Sequence, residues 1–256
     1  NYSGTTGINE IKLDNAGVID LSGSNSVGIA ADYGHVININ KIRTTGSNSI
    51  GIVSANGTLT ENNGEVVIGG SDTAGIYGVN YLDGVTSSTV LGYGDDSINI
   101  NNNGKITSTG TDKVYGIYAD NTAGAASSVI LGSGSNIDLR TSNGAVGVYA
   151  ESSAVTNSLS FDAGSHNYGF ILTGGSFTNN AGTNSVIGTD SVFMYSQQGT
   201  AVTNNGNLTM TGSDNVGFYL DKDSNYVGGA VITNNGTITG TAGNNNVGIY
   251  NYGGTI

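Results

Sequence analysis

The chain has 256 residues, among them 43 Gly, 0 Pro, 0 Cys and 0 Trp, and its formal net charge is -12 with only 10% charged residues. Seven Lys and Arg against nineteen Asp and Glu cannot build the basic footprint of a nucleic-acid or anionic-membrane binder, and no apolar run reaches the length of a transmembrane helix. Hydrophobic residues still make up 36% and recur at regular intervals, which separates the chain from a disordered polar linker and points to a narrow-cored β protein.

Taken in chain order, the elements are copies of two short motifs. A loose corner, Asn15-Ala-Gly-Val-Ile, comes first and is followed by GSNSVGIA at 23–30. The second motif then recurs as GSNSIGIV (46–53), GSDTAGIY (70–77), GTDKVYGIY (110–118), SNGAVGVY (142–149) and GSHNYGFI (164–171). Its last three copies are GTDSVFMY (188–195), GSDNVGFY (212–219) and GNNNVGIY (243–250). The first motif appears in full as NNGEV (62–66), NNGKI (102–106), NNGNL (204–208) and NNGTI (234–238). Compact copies repeat every 22 to 24 residues, and three longer intervals of 41, 31 and 31 carry insertions. Three short strands and their turns need about this many residues, so the period predicts an all-β, right-handed parallel β-helix of about ten coils. Gly254-Thr255-Ile256 reads as the opening of another repeat and Asn1 is not a native start, so the chain is expected to be one β-helix segment cut from something longer.

Simple alternation assigns faces within the second motif. In Val216-Gly217-Phe218-Tyr219 it sends Val and Phe inward and Gly and Tyr outward. The expected outward aromatic row is Tyr77, Tyr118, Tyr149, Tyr195, Tyr219 and Tyr250. Asn-Gly supplies tight corners because both residues tolerate positive φ, and Asn at successive corners can bond one another along the axis.

Insertions are expected at 80–97, 121–134 and 220–230. Loops on a rigid scaffold are where recognition concentrates. The candidate partner-binding residues are therefore Tyr81, Asp83, Tyr93, Asp95, Asp96 and Tyr226; extra strand or partial coil is the structural alternative. The segment 92–98 matches a single calcium-roll unit, but such rolls need tandem units and the neighbours do not repeat it, so a turn is expected. Asp95 and Asp96 lack the further acids, His and basic residue that a β-helical glycosidase would bring to one face. His35 and His166, like Arg43 and Arg140, lie far apart in sequence. No catalytic constellation, cofactor site or metal site is expected.

With the repeat established, the NNG-x-[IVL] and G-[ST]-[DN]-x-V-G-[IF]-Y units resemble those of type V autotransporter adhesin passengers, especially the large Gly- and Asn-rich ones of fusobacteria. They cover almost the whole chain. The resemblance implies a right-handed β-helix displayed on the outer membrane of a Gram-negative bacterium through a C-terminal barrel. It also implies a monomeric, non-catalytic segment binding a protein or glycan on host cells or other bacteria. The shared units are structural, so the resemblance transfers no site residue. A β-helical polysaccharide lyase or hydrolase and a pure spacer are the alternatives.

Overall fold

The structure, a computed structural model, describes residues 12–32, 34–80, 97–121, 127–222 and 229–253. Every paired strand among them is parallel to its neighbours, and strands stack into three faces of a β-helix. The first face runs from Lys12–Asn15 through His35–Asn38 and Leu59–Asn62 to Val231–Asn234, nine strands in all. The third face, from Val27–Asp32 to Val247–Asn251, also has nine. The second face is split into five strands, ending at Asn136–Asp138, and three, starting at Asn184–Ile187. Between them the chain keeps only an isolated bridge, Asp162 to Val186. Nine coils at the inter-strand spacing give a rod on the order of 40 Å long.

Alternation fails at one place, and the failure sets the shape of the third face. Ile29, Ile52, Ile76, Ile117, Phe170 and Phe218 point inward as expected and are buried. The glycine before each of them also points inward. A Cβ on Gly75 would lie 2.6 Å from Ile106 Cγ2 and 2.6 Å from the Gly116 carbonyl; one on Gly51 would lie 2.5 Å from Val66 Cγ1. Two consecutive residues thus face the core, and the Val position is turned outward with Tyr, with Ala74 and Val146 at that position covered from solvent. Val27 is 41% exposed and Tyr168 37%, and Ile50, Tyr115, Val192, Val216 and Val247 are half-buried. The expected inward Val and outward Gly are therefore reversed. The interior beside the second face holds an Ile, Val, Leu or Phe side chain at this level and leaves room only for hydrogen. The coil with Phe193 in place of the glycine carries Ser185, buried, where register neighbours carry the larger Leu208 and Phe161.

The corners also work differently from expectation. In the NNG motif neither the second Asn nor the Gly takes a positive φ. Glycine is needed there because coils touch backbone to backbone: a Cβ on Gly104 would be 2.2 Å from the Gly64 carbonyl oxygen, and one on Gly64 2.0 Å from that of Asn40. Positive φ belongs to the other motif, at Asn25, Asn48, Asp72, Lys113, Gly144, His166, Asp190, Asp214 and Asn245, with φ between 49° and 67°. Asn and Asp tolerate this left-handed region best among residues with a Cβ, which explains the [DN] preference. His166 is thereby a surface turn residue.

The first Asn of NNG forms the expected ladder. Asn15 Nδ2 donates to Asn38 Oδ1 (2.9 Å), Asn38 to Asn62 (2.8 Å) and Asn62 to Asn102 (2.7 Å). A second ladder runs from Asn157 to Asn179 (2.9 Å), Asn204 (2.7 Å) and Asn234 (2.7 Å). Leu131 occupies the rung between them. There Asn102 Nδ2 donates to Ser135 Oγ, and Asn157 Oδ1 accepts from the Leu159 amide. Met194 and Met210 fill the core.

Candidate binding face

Of the expected insertion 121–134, Ser127–Leu131 is a regular strand of the first face, paired with Asn99–Asn102 and Ser153–Asn157. That part is coil, not loop. Asn80 and Asn121, bonded to each other, and Ser97 are buried at the roots of the first two insertions; Leu220 and Ala230 are buried at the ends of the third. The candidate residues Tyr81, Asp83, Tyr93, Asp95, Asp96 and Tyr226, and the turn segment up to Asp96, lie outside the described residues.

The expected tyrosine row stands on the outer third face as two stacks separated by Ile171. Tyr77 and Tyr118 have ring centroids 5.5 Å apart, and Tyr118 and Tyr149 lie 4.5 Å apart and nearly parallel at 16°. Beyond Ile171, Tyr195 and Tyr219 are 5.2 Å apart, and Tyr219 and Tyr250 4.8 Å. The stacking follows from register: parallel pairing puts the same repeat position one strand spacing away in each coil. Three residues before each Tyr, the displaced Val column forms a second outward apolar stripe. Where that column shrinks to Ala74, an open depression of about 270 Å³ is lined by Ile50, Ala74, Tyr77, Tyr115 and Tyr118. Tyr115 closes one side, edge-on to Tyr118 at 5.1 Å and 83°.

Two residues beyond the tyrosines, a third outward column carries carboxylates at Asp120, Glu151 and Asp221. Asp120 and Glu151 stand on adjacent coils, one position past the paired Ala119 and Ala150. Burial, reinforced by Asp120, raises the Glu151 carboxyl above its ordinary value. Burial also raises the Tyr118 phenol, with Tyr149, Asp120 and two further tyrosines adding to it. Tyr195 is raised by burial and by donating its hydroxyl proton to Asp221. The tyrosine row was visible in the repeat. Tyr115, Tyr168 and the carboxylate column were missed, although Tyr118-Ala-Asp120, Tyr149-Ala-Glu151 and Tyr219-Leu-Asp221 share an i, i+2 signature that names the latter.

A second depression, of about 200 Å³ and polar, lies where the second face breaks, lined by Ser135, Asn136, Asp138, Arg140, Ser160 and Asp162. Arg140 grips Asp138 with Nε at 2.8 Å and Nη2 at 2.7 Å and reaches Asp162 at 3.5 Å. Asp138 is held below the usual carboxylate range by that bond. Arg140 belongs to the irregular turn after Asn136–Asp138, where no repeat signal predicts it. His35 sits on the first face, 3.4 Å from Glu61, several coils from His166. Among the described residues no group of three or more His, Cys, Asp or Glu is placed to hold a metal ion. Comparison with protein-family models, curated proteins and solved structures finds no match.

Proposed function

We propose that this chain is a non-catalytic adhesive segment of a surface-displayed β-helical passenger, binding a receptor on host cells or other bacteria. The observation that carries this reading is the outer third face: two parallel apolar columns, one of them tyrosine, run along the rod and open into a depression at Ala74. Exposed aromatic surface on a rigid scaffold is the composition from which protein interfaces draw their strongest contacts. Display on the outer membrane belongs to the same proposal and rests on the resemblance of the repeats. The enzyme alternative would draw on the polar depression. Arg140 holds Asp138 ionised, however, which removes it as a proton donor to a leaving group near neutral pH.

The test is adhesion of the purified fragment to epithelial and bacterial cells, with Tyr118→Ala and Tyr149→Ala combined as the variant. Binding by the wild type and its loss in the variant are expected. Cleavage of polysaccharide by the fragment, or full adhesion by the double variant, would overturn the reading.

A further inference from the structure

The charges of this chain are sorted by face. All seven Lys and Arg lie within the described residues. Lys12 is on the first face, Lys41, Arg43 and Lys105 are on the second, Lys113 stands at positive φ at the start of the third-face strand Asp112–Asp120, and Arg140 and Lys222 follow strands at corners. Six of them meet a local carboxylate: Lys12 meets Asp14, Lys41 and Lys105 meet Glu65, Arg43 meets Asp20, Lys113 meets Asp72 and Arg140 meets Asp138. None stands in the three outward columns of the third face. There Asp120 and Glu151 share one end of the Tyr118–Tyr149 stack, and no cation answers them. One carboxylate oxygen of Asp120 is closed off from solvent with no hydrogen-bond partner among the described residues. The flanking segments 81–96 and 122–126 contain no Lys or Arg that could supply one.

We infer that the Tyr118–Tyr149 stack together with Asp120 and Glu151 is a docking site for a cationic polypeptide segment, best for one presenting arginine. This rests on the adhesive reading and names the chemistry of the partner. A guanidinium presents a fork of N–H groups that reach carboxylate oxygens while the apolar arginine stem packs along the outer edges of the stacked rings, and the site offers both surfaces side by side on neighbouring columns. Burial pushes both phenols up from a range that is already neutral at pH 7, so the rings bring no competing negative charge to the site. Charge complementarity favours this occupant over a neutral glycan, which would pack on the same rings but leave the two carboxylates facing each other uncompensated.

The experiment measures fluorescence anisotropy of a labelled peptide of alternating arginine and glycine against the intact 256-residue chain. The comparators are a glutamate-glycine peptide and a neutral oligosaccharide. We expect the arginine peptide alone to bind and to weaken as salt rises. The paired variant Asp120→Asn with Glu151→Gln should lose about tenfold in affinity, and Tyr118→Leu a similar amount. Asp190→Asn with Asp214→Asn removes the same charge at corner positions where other coils already carry Asn25, Asn48 and Asn245, and should leave affinity unchanged. Equal losses in the two paired variants would show a general field effect and overturn the site, as would absence of peptide binding or preference for the oligosaccharide. Cell adhesion is measured in parallel. Adhesion that survives the Asp120/Glu151 variant and is not competed by the peptide rejects the cationic partner and keeps the adhesive reading. Peptide binding without any cell adhesion rejects the adhesive reading and keeps the site.

Discussion

Replacing Asn62 with Leu tests how far the asparagine ladder, rather than apolar burial, holds the coils in register. Asn62 is fully buried, accepts from Asn38 Nδ2 at 2.8 Å and donates to Asn102 Oδ1 at 2.7 Å. Leu has the same branched heavy-atom skeleton and a larger volume, so no cavity opens, but Asn38 loses its acceptor and Asn102 its donor. Each buried polar group left without a partner costs about 1–3 kcal/mol, giving about 2–6 kcal/mol for the pair before the added apolar contact offsets part of it. The natural break at Leu131 shows why this rung differs. There Ser135 Oγ takes the Asn102 donor and the Leu159 amide supplies the Asn157 acceptor. Around Asn62 no such substitutes stand at the two neighbouring rungs among the described residues.

Urea unfolding gives the overall loss, and hydrogen exchange locates it. Coils of a solenoid contact only their neighbours, so protection should fall first at amides such as Asn63, bonded to the Asn38 carbonyl at 2.8 Å, and Asn103, bonded to that of Asn62 at 2.9 Å. A variant within about 0.5 kcal/mol of wild type, with exchange unchanged at these amides, would refute the claim that the ladder specifies the stack.

Two further outcomes follow from the packing and charge of the third face. Gly75→Ala should cost about 3 kcal/mol or more in urea unfolding, because the new methyl meets a backbone carbonyl and Ile106 at 2.6 Å and neither can retreat. Gly240→Ala, whose nearest neighbour would be Asn246 Nδ2 at 3.7 Å, should stay within about 0.5 kcal/mol, and equal effects would show that the glycine column is not steric. Glu151→Gln should raise stability at pH 7 and do nothing below about pH 4. Burial and Asp120 hold the folded carboxyl above its ordinary 4.5, so the folded state binds that proton more tightly than the unfolded chain does. Ionisation therefore destabilises the fold above the raised value, and the cost disappears as pH falls below the unfolded one. Unfolding midpoints at the two pH values read this directly, and a gap of equal size at both would contradict it.

The repeat alone determined the class of fold, the coil length, the asparagine ladder and the tyrosine row, because each depends only on residues recurring at one spacing. Parallel stacking then brings like to like. What the repeat could not decide was anything that depends on the neighbouring coil's atoms. Whether Val216 or Gly217 faces the core is settled by the side chain of Leu208 and the carbonyl of Gly248, which leave space for hydrogen only. Gly104 is required by the Gly64 carbonyl and not by its own torsion angles. Ile171 interrupts the tyrosine row and Leu131 the ladder, both visible as letters but meaningful only once register aligns them with Tyr149 and Tyr195, and with Asn102 and Asn157. The carboxylates at 120 and 151 were single letters in two separate copies. Folding put them on adjacent coils beside stacked rings, with every lysine and arginine outside the three outward columns of that face.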